Sequence, residues 1–163
     1  MAPSDRIVIF GAGCIGLTIL QACLLCGADE ITVVDVIPKR LEMAKRFGAA
    51  FTLNATEEDV VAACKELTAG MGADIVFEAA GTGATIQTAT EIVARGGKTM
   101  VVGAVPGETP INFLKINREV SIQTVFRYAN RFETAIREIA QGHMDMASMV
   151  THTFGYHDAQ WAF

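Results

Sequence analysis

The sequence predicts an α/β fold: a doubly wound, parallel sheet of six strands with helices on both faces. Short runs rich in β-branched residues recur along the chain, and stretches with helical spacing separate them. The runs are apolar throughout rather than alternating, as strands covered on both faces must be. A glycine-rich turn joins the first run to the first helix, the connection such a fold opens with.

In chain order, the first strand is expected over Arg6–Phe10, followed by a helix to about Leu25. Glu30–Val34 makes a second strand ending at Asp35, and Ile37–Phe47 a helix closed by Gly48. Phe51–Leu53 is a short third strand. Thr56, ahead of Glu57 and Glu58, is the expected cap of a helix running to about Thr68. Ala73–Phe77, Lys98–Val102 and Glu119–Val125 complete the strands, with helices over Thr85–Val93 and Arg131–Gln141. A seventh extended piece is expected over Met149–Phe154. With no internal repeat, low-complexity tract or linker, residues 1–163 read as one domain.

Composition narrows the function. The chain is 51% apolar and 19% charged, enough for a sizeable core and incompatible with disorder. A net charge of −5 opposes nucleic-acid binding, which needs a basic face against phosphates. The uncharged stretch from Cys14 to Ala28 contains Thr18 and Gln21 and falls short of the ~20 apolar residues of a membrane span. The start has no apolar signal core, so a cytoplasmic location is expected. Cys23 and Cys26 form a CxxC inside a helical pattern, where packing against a helix face is the expected role. The first helix carries no charge and is therefore expected to be buried all round. His157 to Gln160 opens a helix just before Trp161-Ala162-Phe163, an ending that suggests a fragment.

Gly11-Ala-Gly13-Cys-Ile-Gly16 fits G-x-G-x-x-G with a strand before it, a helix after it and an acid at the end of the next strand. In the Rossmann arrangement this implies, Gly11 makes the tight turn and Gly13 lets a pyrophosphate approach the backbone. Gly16 lets the helix pack near the strand. The free N–H groups and positive end of the helix dipole then face the phosphates. Asp35, 19 residues after Gly16, is placed to accept from the adenosine ribose hydroxyls. A carboxylate there repels a 2′-phosphate, so NAD is the expected cofactor rather than NADP. Arg40 is read either as a solvated helix residue or as packing over the adenine end. Further contacts are expected at the other strand ends: Ala80 and Gly81 after the fourth, Gly103 and Ala104 after the fifth, Phe126 and Arg127 after the sixth. Arg127 could equally pair with Glu78 or Glu133.

RIVIFGAGCIGL, VVDVIPKRLEMAKRFGA, GADIVFEAAG, RGGKTMVVG and INREVSIQTVFRYANRF together resemble the medium-chain zinc-dependent alcohol dehydrogenases, over nearly the whole chain. The last block resembles the polyol branch, the sorbitol, xylitol and L-iditol dehydrogenases. The resemblance implies that Ile15 contacts the pyrophosphate–nicotinamide region, that Cys14, where the family often has proline or another small residue, leaves backbone approach intact in the cofactor-binding turn, and that Asp35 and Arg40 hold the adenosine end. Val102, Gly103, Ala104, Val125, Phe126 and Arg127 would line the nicotinamide side, with Arg127 also reaching substrate hydroxyls. It further implies dimers paired through the sheet edge, and a catalytic zinc held by a separate domain. His143, His152 and His157 have no cysteine or acid at zinc-ligand spacing, so no metal residue and no catalytic residue is expected in this chain. The expected function is thus the NAD-binding part of a polyol dehydrogenase, inactive alone. A free-standing NAD-sensing module, and the same domain of a threonine or simple alcohol dehydrogenase, stand as alternatives.

Overall fold

The computed structural model describes residue 2 and residues 4–162. Six strands form one sheet in the order β3-β2-β1-β4-β5-β6, with every neighbouring pair parallel. The strands are β1 (Ile7–Phe10), β2 (Ile31–Asp35), β3 (Phe51–Asn54), β4 (Ala73–Glu78), β5 (Val93–Val101) and β6 (Ser121–Thr124). The helices between and after them are α1 (Cys14–Leu25), α2 (Pro38–Arg46), α3 (Val60–Leu67), α4 (Gly83–Ile92), α5 (Phe132–Ala140) and α6 (Ala159–Ala162). The order runs outward from β1 in both directions. This is the doubly wound arrangement expected, with its switch point between β1 and β4.

Alternation along β1 builds two cores, one on each face. Val8 and Phe10 pack with Val34, Leu53, Val60, Cys64 and Ala89, joining the sheet to α3 and α4. Ile7 and Ile9 point the other way, onto Leu17, Leu20 and Cys23 of α1 and Ala44 of α2. Both faces of β1 are therefore dry, which explains a strand with no polar residue.

Several boundaries differ from the sequence expectation. Asp59, not Thr56, caps α3: its Oδ1 accepts from the N–H groups of Val61 and Ala62 at 3.0 and 3.1 Å. Thr56 instead donates its N–H and hydroxyl to Asn54 Oδ1, closing the turn after β3. Thr82 caps α4, which starts two residues before the expected Thr85. β5 begins at Val93, bends around Gly96 and stops at Val101, so Val102 lies in the turn beyond it. β6 is shorter than expected, because Glu119 takes a positive φ of 60°. The expected strand over Met149–Phe154 is not formed: 147–149 is a 3-10 turn and the residues after it pair with no strand among those described.

That turn explains how half of the apolar α1 is covered. Gln21 accepts from Asp145 N at 2.6 Å and donates to Asp145 O at 3.3 Å, while Met149 packs against the α1–α2 core. Burial is not complete, however, since Ile15 and Leu25 stay half exposed. In the CxxC, Cys23 is buried and its thiol pushed up to about 12 by desolvation, but Cys26 at the helix end is exposed and does not pack. Trp161 of α6 is exposed, and the adjoining Phe163 lies outside the described residues.

At the N-terminal edge of the sheet, Arg6 and Asp74 tie β1 to β4. Arg6 Nε and Nη2 each reach a different oxygen of Asp74 at 2.9 Å, and Arg6 N donates to Oδ2. These donors hold the Asp74 carboxyl below its usual range. A group with a depressed folded pKa stabilises above its unfolded value, about 4, and loses that contribution as pH falls through the folded value. Asp74→Asn should therefore cost about 1–2 kcal/mol near neutral pH, allowing for solvent at the partly exposed pair. In urea melts the gap from wild type should close as the pH is taken below 4. A gap that is independent of pH would rule out the ion pair as its source.

Candidate functional site

A cleft of about 690 Å³ opens at the carboxyl ends of β1 to β4. Its floor is Phe10, Gly11 and Gly13 from the first turn and Val34 and Asp35 from β2. Ala79 and Ala80 after β4 close one side, and Arg40 and the start of α3 the other. Thr82, Thr85 and Thr88 form a wall along α4.

The three motif glycines are required for different reasons. Gly11 has a φ of 94° and sits against Ala79 and Ala80, where a Cβ would be 3.0 Å from their backbone. A Cβ on Gly16 would overlap the Gly11 carbonyl oxygen, so the helix crosses the turn at backbone distance. At Gly13 a Cβ would meet nothing within 4 Å, because the residue faces the open cleft. Gly13 is also the N-cap of α1 and supplies no side-chain cap. The first-turn N–H groups of a 12-residue helix are thus left for an anion from outside.

Asp35, 8% exposed, fixes this floor. Its Oδ2 accepts from Ala12 N at 2.6 Å and its Oδ1 from Val36 N and Ile37 N at 2.8 and 2.9 Å. One carboxylate therefore locks the turn after β1 to the turn after β2. A carboxylate offers about four lone-pair positions, so Oδ2 retains capacity toward the cleft. Arg40 Nη1 lies 3.9 Å from that oxygen with its side chain half exposed. Arg40 is thus partly solvated and lines the cleft.

Of the other residues singled out by sequence, Ala80 lines the cleft, while Gly81 is set behind it against Ala104. Val102 and Gly103 are held there too, both donating N–H to Glu78 O at 2.8 and 2.9 Å. Cys14 and Ile15 are exposed on the first turn of α1. Val125 and Phe126 are exposed beyond β6, outside the cleft. Arg127 is exposed, with a φ of 54°, and its guanidinium lies 5.0 Å from the Phe126 ring centroid. It pairs with neither Glu78 nor Glu133 among the described residues: Glu78 is fully buried and bonded to its own turn. Thr82 closes the strand-end segment Glu78–Thr82 expected at the site, but Thr85 and Thr88 were not expected as cleft residues. Their spacing of three on a helix would have placed them together.

Among the described residues no group of three or more His, Cys, Asp or Glu is arranged to hold a metal ion. His143 bonds Glu138 through Nδ1 at 2.8 Å on the surface. No helix among them is long and apolar enough to cross a membrane.

A phosphate-accepting helix end, a strand-terminal acid and a cleft at the switch point define a dinucleotide-binding α/β domain. Residues 14–141 match the family model of the zinc-binding dehydrogenases, and the chain belongs to that family, as its NAD-binding domain. It is 57% identical over 161 residues to an uncharacterized zinc-type alcohol dehydrogenase-like protein of Escherichia coli (strain K12), covering 99% of this chain and 46% of that protein. It is 36% identical to the sorbitol dehydrogenase of Bacillus subtilis (strain 168), over 98% of this chain and 46% of the relative. A solved alcohol dehydrogenase of E. coli CFT073 complexed with NADH superposes with a TM-score of 0.92 at 25% identity, over 99% of this chain and 48% of that one. The chain thus spans about half the length of the proteins it matches.

The glycine geometry separates binding from folding. Gly13→Ala should lower the melting temperature only modestly, because its Cβ has space and only the glycine preference at the N-cap is lost, yet weaken NAD binding about tenfold or more by blocking close approach. Gly16→Ala should lower the melting temperature sharply, since backbone must move to admit the methyl. Calorimetry and thermal melts on both variants check this; equal melting temperatures would contradict it.

Proposed function

We propose that this chain is the cofactor half of an NAD-dependent, zinc-dependent polyol dehydrogenase and prefers NAD to NADP. The observation that carries the reading is Asp35: a nearly buried carboxylate at the adenosine end with acceptor capacity left on Oδ2. A ribose hydroxyl can donate to it, whereas a 2′-phosphate would bring a second anion against a fixed one. Gly11, Gly13, Cys14, Ile15 and Gly16 are the backbone that takes the pyrophosphate, and Arg40 stacks at the adenine end. Ala80, Gly81, Val102, Gly103 and Ala104 form the nicotinamide side. Val125, Phe126 and Arg127 extend it, Arg127 toward the substrate hydroxyls.

Hydride chemistry belongs to the nicotinamide when it is bound; these residues orient it and define which face is open. The likeness to a sorbitol dehydrogenase supports a small polyol as substrate. The zinc of such an enzyme would belong to its catalytic domain rather than to this one.

Titrated in parallel, NAD should bind at least about tenfold tighter than NADP, and Asp35→Asn should shrink the ratio. Zinc and sorbitol or xylitol added to the NAD-loaded chain should produce no NADH. Tighter binding of NADP, or turnover of polyol by this chain alone, would overturn the reading.

Self-association through the β6 edge is part of the same proposal. β6 is the outer strand, all four of its residues are exposed, and Phe132, Ile136 and Ile139 of α5 are exposed beyond it. Sedimentation at tens of micromolar should give a dimer, and Ile122→Lys should return a monomer. A wild-type monomer would remove this part.

A further inference from the structure

We infer that Glu58 is a second specificity-determining residue for the cofactor: it sets a fixed carboxylate beside Asp35 at the adenosine end, where its charge opposes a 2′-phosphate. The inference rests on the NAD-preferring reading above and deepens it.

The sheet register supplies the placement. Asp35 ends β2 and lies opposite Asn54, the last residue of β3. Ala55 N donates to Asp35 O at 3.1 Å, so the ladder holds to the strand ends. Glu58 then turns back onto that end, its Oε1 accepting from Asn54 N at 2.8 Å. Parallel strands run about 4.8 Å apart, which brings Glu58 Oε1 to within roughly 9 Å of the Asp35 Cα. Both residues line the same cleft, and Glu58 is exposed there.

The local structure does not call for a charge at this position. An amide oxygen would accept from Asn54 N as a carboxylate does. The end of α3 already has its cap in Asp59, an acid well placed at the positive end of the helix. A further acid here stands near two like charges, Asp35 and Asp59, which costs free energy.

The charge takes effect on the ligand. Among the described residues that line the cleft, three are acids, Asp35, Glu58 and Asp59, against one base, Arg40. Arg40 Nη1 already lies 3.9 Å from Asp35 Oδ2. A cleft of about 690 Å³ is roughly 10 Å across, about one Debye length in 0.1 M salt, so each charge reaches a group bound anywhere in it. A 2′-phosphate would bring about −1.5 to −2 into that field near neutral pH, where NAD has only a hydroxyl. Arg40, the one phosphate partner on this side, is outnumbered. Asp35 therefore selects the ribose by contact and Glu58 through space, on charge alone.

The test titrates NAD and NADP calorimetrically into the full chain and into Glu58→Gln and Glu58→Lys, in about 0.05 M and about 1 M salt. Both cofactors carry the same pyrophosphate, so the ratio of their affinities isolates the 2′-phosphate. At the lower salt the preference for NAD should fall about threefold in Glu58→Gln and about tenfold in Glu58→Lys. At the higher salt, where the Debye length is about 3 Å, the differences from wild type should fade. Glu58→Gln keeps an acceptor for Asn54 N and should melt close to wild type. A Glu58→Gln ratio equal to that of wild type at low salt overturns the inference. So does a change that high salt leaves intact, because packing rather than charge would then be its source. Should Glu58→Lys fail to fold, Glu58→Gln decides by itself. A wild-type chain that takes NADP more tightly would sink the NAD-preferring reading and this inference with it. A wild-type preference for NAD that the folded variants share in full would remove only the role of Glu58.

Discussion

The site depends on a carboxylate that ends a strand and turns back to hold backbone N–H groups. Asp35 takes one N–H from the turn after β1 and two from its own turn, at 2.6 to 2.9 Å. Bonds of this kind, with one charged partner, are stronger than neutral ones. Without them the glycine turn would present its N–H groups in no fixed direction, and the free end of α1 would have no defined ligand position. The same carboxylate lines the cleft, so the group that fixes the two turns is also part of the cleft floor.

Glu78 repeats the device two strands away in the sheet order, on the far side of β1. Each acid ends its strand, and each accepts from main-chain N–H groups one to three residues onward, Asp35 also from the neighbouring turn. The difference is exposure. Asp35 keeps an edge toward the cleft, whereas Glu78 is sealed beneath small residues. An acid at the end of a parallel strand thus has two outcomes, decided by what the following turn packs upon. Gly103 and Gly81 close over Glu78; no such lid covers Asp35.

Much of this was legible in the chain because local signals and the global fold agree. The apolar strands, the G-x-G-x-x-G turn and the acid 19 residues later each point to the same sheet. Gly11, Gly13, Asp35, Arg40 and Ala80 do line one cleft. What sequence could not supply came from competition between neighbours of similar capacity. Thr56 and Asp59 are both good caps, and Asn54 decided between them by claiming Thr56 for its own turn. Arg127 had two acids within reach on paper, but one is enclosed by its own backbone and the arginine lies over Phe126 instead. The cover on α1 was expected in kind but not in source: Gln21 binds the main chain of Asp145, 124 positions onward, a contact no local pattern encodes.

The sheet is unevenly supported from one side to the other. β1, β2 and β4 are sandwiched between two cores, while β6 has four exposed residues and α5 buries none of its nine. A helix of that length gains little stability from its own hydrogen bonds in water. Opening the outer strand and its helix therefore costs far less free energy than opening the centre, and the two should exchange backbone amides on separate timescales. In a chain with one continuous sheet, the half around β1 is the firm plate, and the half bearing Phe126 and Arg127 is its more easily opened margin.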